Sequence, residues 1–278
     1  MDQRTLEQIL ADLPLGPLRY YDRIASTNDD ARRWASRGAQ DLSLVVADEQ
    51  TAGRGRIDRR WFTSTGAALA FSLILDGRQQ EHTPASWLIP RFTALGALAV
   101  CDALQEEYRV AAQIKWPNDV LVGGGKVAGV LVETQWLGNQ LQAVVVGIGV
   151  NVSPVSIPPL DAVSFPAACI ENFVGLIRRE NDDLETSQRV DRWELLRSLL
   201  SRLLEWREVL FQDVFISAWE KRLAYIGEWV RVMDIQSPTI KQTGQVIGLE
   251  RDGSLKLRTA RGDVTHLYSG DVNLRPLK

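Results

Sequence analysis

The chain has 278 residues, 45% of them hydrophobic and 24% charged, which is enough to bury a full core in one large domain or in a large and a small one. The formal net charge of −3 gives no overall attraction to nucleic acid or to an anionic membrane, so any anion-binding site must be local. The two cysteines are far apart in the sequence, which argues against a disulfide framework and favours a reducing cytoplasm. Only two histidines are present, which argues against a zinc site. No apolar run reaches the roughly 18 residues that a membrane span needs.

A short polar segment follows the first predicted strand. The first elements are an amphipathic helix at 5–13 and a strand at 18–24. Ser26, Thr27 and Asn28 come next, and Ser26 with Asp29 has the spacing of a capping box, which predicts that a helix begins here. Capping explains these hydroxyls by itself, but polar groups at a helix N-terminus can also turn toward a ligand.

A glycine- and arginine-rich loop follows the strand predicted at 44–47. Its central residues are Gly53-Arg54-Gly55-Arg56, with Gln50 before them and Trp61 after them. Glycine lets the backbone approach a ligand closely, and arginine supplies a planar set of donors that suits phosphate and carboxylate. The loop therefore predicts a mobile lid over an anion, with a solvated basic loop or an RNA-binding patch as the alternative.

Four strands between residues 112 and 151 predict an antiparallel meander. They follow a buried strand at 67–75 and a helix at 83–108 that Pro90 is expected to kink or restart. Turns at 117–119, 123–125 and 138–139 join the four strands. Polar residues lie at these turns and strand ends, namely Lys115, Asn118, Asp119, Lys126 and Asn151.

The last quarter of the chain changes from helical to strand periodicity. Helices are predicted at 167–179, 189–210 and 212–224, and the second of these carries a leucine and tryptophan stripe typical of a core. From residue 227 the period becomes two, with short strands joined by Asp-Gly and Arg-Gly turns, which predicts a small β-barrel. About 50 residues are few for an independent core, so we expect the barrel to pack on the larger domain.

The polar residues of these turns and loops offer cations and amides but no nucleophile. No Ser-His-Asp or Cys-His arrangement is present in the sequence, and no pair of carboxylates is evident. Arginine, lysine and amide donors suit a reaction in which the substrate supplies the nucleophile and the protein stabilises charge on phosphorus.

Taken in order, these motifs resemble those of the biotin–protein ligases. The matching stretches are 26–28, 50–56, Trp61, 115–119, 126–133, 147–151 and 270–275. The resemblance covers residues 18–278 and implies an α+β fold. It implies a class II synthetase-like catalytic domain at 1–225, with a mixed, largely antiparallel sheet flanked by helices, and a small SH3-like barrel at 226–278.

The resemblance also implies an ATP-dependent reaction in two steps. The carboxylate of biotin attacks the α-phosphate of ATP and gives biotinyl-5'-AMP and pyrophosphate. A lysine of a biotin carboxyl carrier domain, part of a biotin-dependent carboxylase, then attacks the mixed anhydride. The third expected cofactor, Mg²⁺, would be held mainly by the ATP phosphates, with no metal site on the protein itself.

Residue by residue, the resemblance implies three sets of site residues. The catalytic residues are Lys126, Arg56 and Arg54. The biotin-binding residues are Ser26, Thr27, Asn28, Gln50, Gly53, Arg54, Gly55, Arg56, Lys126 and Gly129. The residues that bind ATP or the adenylate are Trp61, Lys115, Asn118, Asp119 and Asn151, with Trp61 stacking on adenine.

Two features depart from the family pattern. Where the family continues with another glycine after Arg56, this chain has Ile57 and Asp58, and Asp58 could pair with Arg59 or Arg60 and change how the loop closes. Only 25 residues precede Ser26, too few for the winged-helix domain of the repressor-type members, so we expect a form without DNA binding. Family members often pair through their central sheets, and a homodimer is a further expectation.

Two other functions stay open at this point. A lipoate–protein ligase or transferase shares the catalytic fold, although the intact loop and the C-terminal barrel favour biotin. A non-catalytic module whose small barrel binds RNA or protein is the alternative from a different class. The complete set of polar motifs and the mildly acidic net charge argue against it.

Overall fold

The computed structural model describes residues 1–57, 59–80, 83–158, 165–177, 189–234, 239–268 and 272–277. These residues form a mixed α+β fold, with a seven-stranded sheet flanked by helices and a five-stranded antiparallel sheet after it. The predicted fold class, a largely antiparallel mixed sheet with flanking helices and a smaller β unit at the C-terminal end, is confirmed.

The first sheet is built from seven strands. They are β1 (Leu18–Ile24), β2 (Ser43–Gln50), β3 (Ala68–Asp76), β4 (Gln113–Lys115), β5 (Asp119–Val122), β6 (Gly125–Leu137) and β7 (Gln140–Asn151). Their spatial order is β1-β2-β3-β7-β6-β5-β4, with β1 parallel to β2 and all other neighbours antiparallel. Strands β4 to β7 are the predicted meander, and β7 is buried along nearly its whole length because it lies inside the sheet.

Six α-helices accompany the sheets within the described residues. They are α1 (Gln3–Ile9), α2 (Thr27–Ala35), α3 (Ala85–Tyr108), α4 (Glu171–Ile177), α5 (Arg192–Glu208) and α6 (Asp213–Lys221). Two short 3₁₀ helices lie at Gly77–Gln80 and Pro154–Ser156. Helix α4 begins later than predicted because Ala167 instead forms a bridge to Lys126, and the last predicted residues of this helix lie outside the described residues.

Helix α3 is the core helix of the larger unit. Pro90 lies in its second turn without ending it, because the missing N–H affects only a carbonyl of the first turn. By length and composition alone α3 could cross a membrane, contrary to the expectation that no segment qualifies, but 78% of its apolar window is buried within the fold. It packs against β6 and α5, as a core helix does.

The second sheet has the order β11-β10-β9-β8-β12. Its strands are β8 (Trp229–Asp234), β9 (Ile240–Leu249), β10 (Leu255–Arg258), β11 (Val264–Leu267) and β12 (Val272–Pro276). The predicted strands are therefore present, and the predicted closing strand corresponds to β12. The first two residues of the closing motif, Gly270 and Asp271, lie outside the described residues, and the SH3-like character of this unit stays a prediction.

Two buried side chains join the second sheet to the larger unit. Arg91 of α3 is 1% exposed, and its guanidinium donates to the carbonyl oxygens of Leu210 and Arg251, each at 2.6 Å. The indole N–H of Trp116 donates to the carbonyl oxygen of Gly253 at 3.0 Å. Both contacts reach the turn between β9 and β10, so α3 and the segment after β4 hold this turn of the second sheet against the larger unit.

Candidate active site

A cavity of about 520 Å³ lies over one face of the first sheet. It is bounded by the start of α2, the glycine- and arginine-rich loop, the β4–β5 turn and strands β3, β6 and β7. It brings together all of the predicted site residues except Gly53, namely Ser26, Thr27, Asn28, Gln50, Arg54, Gly55, Arg56, Trp61, Lys115, Asn118, Asp119, Lys126, Gly129 and Asn151. Residues far apart in the chain therefore meet in one place, and their individual roles stay predictions.

The polar end of the cavity is built on the start of α2. Ser26 is its N-cap and accepts the backbone N–H of Asp29 at 3.4 Å, so the predicted capping is confirmed. Thr27 donates to the Oε1 atom of Gln50 through its backbone N–H at 2.8 Å and through its hydroxyl at 3.1 Å. The side-chain N–H of Gln50 donates to the hydroxyl of Thr63 at 3.1 Å. These contacts together set the orientation of the Gln50 amide group.

A second layer beneath this end includes Ser72, which sequence analysis missed. Its buried hydroxyl lies 2.8 Å from the Thr27 hydroxyl and 2.6 Å from Asn28 Oδ1. Ser72 is the one hydroxyl in the apolar run of β3, and that interruption was a usable signal. Gly147 faces Asn28 from β7, and a Cβ atom there would lie 2.0 Å from Asn28 Oδ1.

The loop after β2 forms a hairpin. The backbone N–H of Trp61 donates to Gly53 O at 2.9 Å, and that of Gly55 donates to Arg59 O at 2.6 Å. At its tip Ile57 has φ of +50°, a left-handed conformation that a β-branched residue adopts at a cost. The family's extra glycine would suit this position. The predicted pairing of Asp58 lies outside the described residues.

The first two arginines of the loop, Arg54 and Arg56, have different partners. The Nη2 atom of Arg54 lies 2.7 Å from Asp29 Oδ1 and 2.7 Å from Glu133 Oε2. Arg56 instead donates to the side-chain oxygen of Asn118 at 3.2 Å, on the β4–β5 turn. Arg56 thus lies toward the lysines of the cavity, whereas the charge of Arg54 is met by two carboxylates.

The cationic end of the cavity holds one carboxylate between two lysines. Asp119 Oδ1 lies 2.5 Å from Lys126 Nζ, and Asp119 Oδ2 lies 3.3 Å from Lys115 Nζ. Burial opposes ionisation of Asp119, but the two lysines together hold its pKa below the usual range. Burial lowers the pKa of Lys115 to about 8, against the attraction of Asp119. An anion that enters here meets two ammonium groups whose positions Asp119 already fixes.

Trp61 lies flat against the two glycines of neighbouring strands. A Cβ atom on Gly149 would lie 2.3 Å from Trp61 Cε2, and one on Gly129 would lie 3.4 Å from Trp61 Cζ3. The ammonium of Lys126 lies 5.4 Å from the centre of the indole ring. The indole N–H is buried and has no hydrogen-bond partner among the described residues, so this side of the cavity offers an unused donor.

Asn151, the last of the residues predicted to bind ATP, supports one wall of the cavity. Its side-chain N–H group donates to Ala168 O at 3.1 Å and to Lys126 O at 3.4 Å, which ties the segment after residue 165 to β6. Phe165 of that segment lies beneath the Lys115 ammonium, 4.3 Å from the ring centre.

Arg275 is a further cation that sequence analysis did not assign to the site. It comes from β12 of the second sheet, and its guanidinium lies 4.9 Å from the ring centre of Phe165. Burial and the nearby Arg59 lower its pKa, against the attraction of Asp119. Its sequence separation from Lys115 exceeds 150 residues, so no local pattern could have placed the two together.

The described residues of the cavity contain few groups that could bind a metal ion. Among the described residues, no group of three or more His, Cys, Asp or Glu side chains is placed to hold a metal ion. Asp119 is the one carboxylate among the described residues lining the cavity, and two lysines already contact it. This donor set fits Mg²⁺ that arrives on nucleotide phosphates rather than in a protein cage.

Comparison with known proteins agrees with the motif order. Residues 20–151 match the biotin/lipoate A/B protein ligase family. The chain is 36% identical over 245 residues to the biotin–[acetyl-CoA-carboxylase] ligase of Paracoccus denitrificans, covering 86% of this chain and 93% of that protein. It is 30% identical over 263 residues to the bifunctional ligase/repressor BirA of Bacillus subtilis, covering 92% and 74%.

A solved structure shares the whole fold. The biotin protein ligase from Aquifex aeolicus, in complex with biotin and ATP, aligns with a TM-score of 0.74 and 27% identity over 94% of this chain and 99% of that one. The chain therefore belongs to the biotin/lipoate A/B protein ligase family, and within it to the biotin–protein ligases. The family expected from the motifs, and the expectation that the chain is a biotin–protein ligase enzyme, are confirmed.

Proposed function

We propose that this chain joins biotin to a specific lysine of a biotin carboxyl carrier domain, by way of biotinyl-5'-AMP. The observation that carries the proposal is the uneven polarity of the cavity over the first sheet. Hydroxyl and amide groups of Ser26, Thr27 and Gln50 lie at one end, and Lys115 and Lys126 lie at the other. The names of the relatives, and the biotin and ATP bound in the Aquifex aeolicus structure, support the same substrates.

The polar end suits the ureido group of biotin. A ureido group needs donors for its oxygen and acceptors for its two N–H groups, and hydroxyl and amide side chains supply both. Thr27, Gln50, Thr63 and Ser72 already bond to one another, so the groups that face the ligand are held in position before it binds.

The cationic end suits the reacting groups. In the first step a carboxylate oxygen of biotin bonds to the α-phosphorus of ATP, and the bond from that phosphorus to the leaving pyrophosphate breaks. Lys126 would hold the carboxylate beside the phosphate, and Lys115 would offset the negative charge of the phosphates. Mg²⁺ carried by ATP would add further charge neutralisation.

The second step needs the acyl adenylate to survive until the carrier arrives. The carrier lysine amine then bonds to the acyl carbon, AMP leaves, and the amine loses a proton. An acyl phosphate hydrolyses readily, so the hairpin that carries Arg54 and Arg56 would exclude water from it.

We further propose the two-domain division at 1–225 and 226–278, with an SH3-like C-terminal barrel, and a cytoplasmic location. The change from helices to short strands after α6 and the two cysteines without a partner support these proposals. A homodimer paired through the central sheets is a proposal that rests on the family resemblance alone.

The test follows pyrophosphate release from ATP and Mg²⁺ with biotin or with lipoate, and then transfer to a purified biotin carboxyl carrier domain. We expect release with biotin, and labelling of the carrier but not of a carrier whose acceptor lysine is replaced by arginine. Release with lipoate alone would assign the chain to lipoate ligation instead. If pyrophosphate were released with neither substrate, the chain would instead be assigned to the non-catalytic binding modules.

A further inference from the structure

Glu133, near the middle of β6, receives donors from two separate elements. Its Oε2 atom lies 2.7 Å from Arg54 Nη2 and 2.9 Å from Asn28 Nδ2. Its Oε1 atom lies 3.2 Å from Arg32 Nη1. Arg54 belongs to the loop, while Asn28 and Arg32 belong to α2, so one carboxylate joins the two.

A second carboxylate completes the contact. Asp29 of α2 also lies 2.7 Å from Arg54 Nη2, so the guanidinium is held between Asp29 and Glu133. The Glu133 side chain is 19% exposed and that of Arg54 is 37% exposed, which means that the ion pairs are partly screened by water. The backbone of Glu133 is held in the sheet, because β6 is paired with β7 at this position.

We propose that Asp29, Glu133 and Arg54 form a latch that holds the lid, the hairpin of residues 53–57 and 59–61, in its closed position. The proposal rests on the proposed function, since it assigns to Arg54 the retention of the acyl adenylate. Glu133 acts as a positioning residue, because it contacts Arg54 and Asn28. This role differs from the catalytic role that the resemblance implied for Arg54, and it sets Arg54 apart from Arg56, which contacts Asn118.

The geometry also gives the latch a link to the polar end of the cavity. Asn28 and Arg54 share the same oxygen of Glu133, and Asn28 borders the cavity beside Thr27. A ligand that orders Asn28 therefore also orders the carboxylate that holds the lid. Binding of a ligand at the polar end of the cavity would in this way favour closure of the lid over the cationic end.

The decisive measurement is the lifetime of the enzyme-bound adenylate. Enzyme is loaded with biotin and ATP in a single turnover, freed of excess substrate, and the loss of adenylate to water or to added free lysine is followed. We expect Glu133→Gln and Arg54→Gln each to shorten the adenylate lifetime about fivefold or more. The lifetime in the double variant should be only slightly shorter than in either single variant. Arg54→Lys, which keeps the charge, is expected to lose less than Arg54→Gln.

A second readout does not depend on the reaction. Hydrogen exchange of the Gly55 and Trp61 amides, which close the hairpin, is measured in the protein without substrates, where we expect faster exchange in Glu133→Gln. The matched control is Glu205→Gln, which removes an ion pair with Arg202 on the distant helix α5 and is expected to change neither readout.

Distinct outcomes overturn the latch and the proposed function. Wild-type lifetime and wild-type hairpin exchange in Glu133→Gln would overturn the latch, as would fully additive losses in the double variant. Absence of adenylate in the wild-type protein would overturn the proposed function, and hairpin exchange would still decide whether Glu133 holds the loop. If Glu133→Gln failed to fold, a lifetime in Arg54→Lys no better than in Arg54→Gln would overturn the latch.

Discussion

Lys126 Nζ lies 2.5 Å from Asp119 Oδ1, and this contact orients the lysine across the cavity toward Trp61. By sequence alone, Asn118-Asp119 after Pro117 has the composition of an ordinary turn. In the structure, Asp119 is buried between Lys115 and Lys126, so it has a structural role beyond that of a turn residue. It keeps two cations close together that would otherwise repel each other.

Replacement of Lys126 should slow adenylate formation far more than it affects folding. In Lys126→Ala, Asp119 keeps its contact with Lys115, so the buried carboxylate is not left alone. We expect the single-turnover rate of pyrophosphate release to fall about a hundredfold or more, as when one charge-stabilising donor is removed. Lys256→Ala, on the second sheet, is the control and should react at the wild-type rate. A normal rate in Lys126→Ala would show that another group stabilises the phosphate.

The pKa of Lys115, lowered to about 8 by burial, predicts how the activity depends on pH. We expect kcat/KM for ATP to be level below about pH 8 and to fall above it as Lys115 loses its charge. Lys115→Arg should abolish this alkaline decline, because a guanidinium stays charged. An unchanged decline in that variant would assign it to another group.

The same titration has the opposite effect on stability. Because the pKa of Lys115 in the folded protein lies below its usual 10.5, the unfolded chain binds more protons between those two values. The contribution of Lys115 to the free energy of unfolding is therefore least favourable below about pH 8 and rises with pH above it. Urea unfolding of wild type and Lys115→Met, compared at about pH 7 and about pH 10, measures the difference.

Two glycines of β7 should report on opposite ends of the cavity. The methyl group of Gly147→Ala would displace Asn28, whereas that of Gly149→Ala would displace Trp61. We expect the first to raise KM for biotin and the second to raise KM for ATP, each about tenfold, an effect of about 1.4 kcal/mol. Each variant serves as the control for the other. Equal changes in both constants for both variants would contradict the assignment of the two ends.

Loss of the Arg91 guanidinium should loosen the second sheet. Arg91→Met would leave the Leu210 and Arg251 carbonyls without their buried donors, and we expect a loss of about 2–3 kcal/mol in the free energy of unfolding. The control is Arg251→Ala, which keeps that carbonyl and removes only an exposed ion pair with Asp213. Its expected cost is within about 0.5 kcal/mol. Equal losses in the two variants would contradict a structural role for Arg91.

The elements of this fold were predictable where the pattern is local. The meander at 112–151, the helix that begins after Ser26 and the short C-terminal strands all follow from apolar periodicity and turn residues. The placement of β7 beside β3 was not predictable, since pairing between distant strands depends on contacts that no short segment contains. Pro90 does not restart the helix, because a proline in the second turn removes only one early hydrogen bond, and a kink at this position stays a prediction.

For the site, too, sequence motifs predicted which residues come together, but not the contacts between residues that are distant in the sequence. Motif order brought together the cavity residues, but it could not distinguish Arg54 from Arg56, which are chemically identical and two residues apart. Only their partners, Glu133 and Asn118, separate them. Arg275 reaches the site from another sheet, and Ser72 acts beneath the cavity, so neither stands within a ligand motif.

Strand β6 carries Lys126 near one end and Glu133 seven residues later, a span of about 23 Å along an extended strand. Strand β5 pairs with β6 at Lys126 and at Ala128, with a register shift between these two pairs, and β7 pairs with β6 from Ala128 through Glu133. One strand therefore carries both the lysine that lines the cavity and the carboxylate that contacts the hairpin arginine. A distortion of β6 would displace these two groups together, so the cavity and the hairpin contact are mechanically coupled through the sheet.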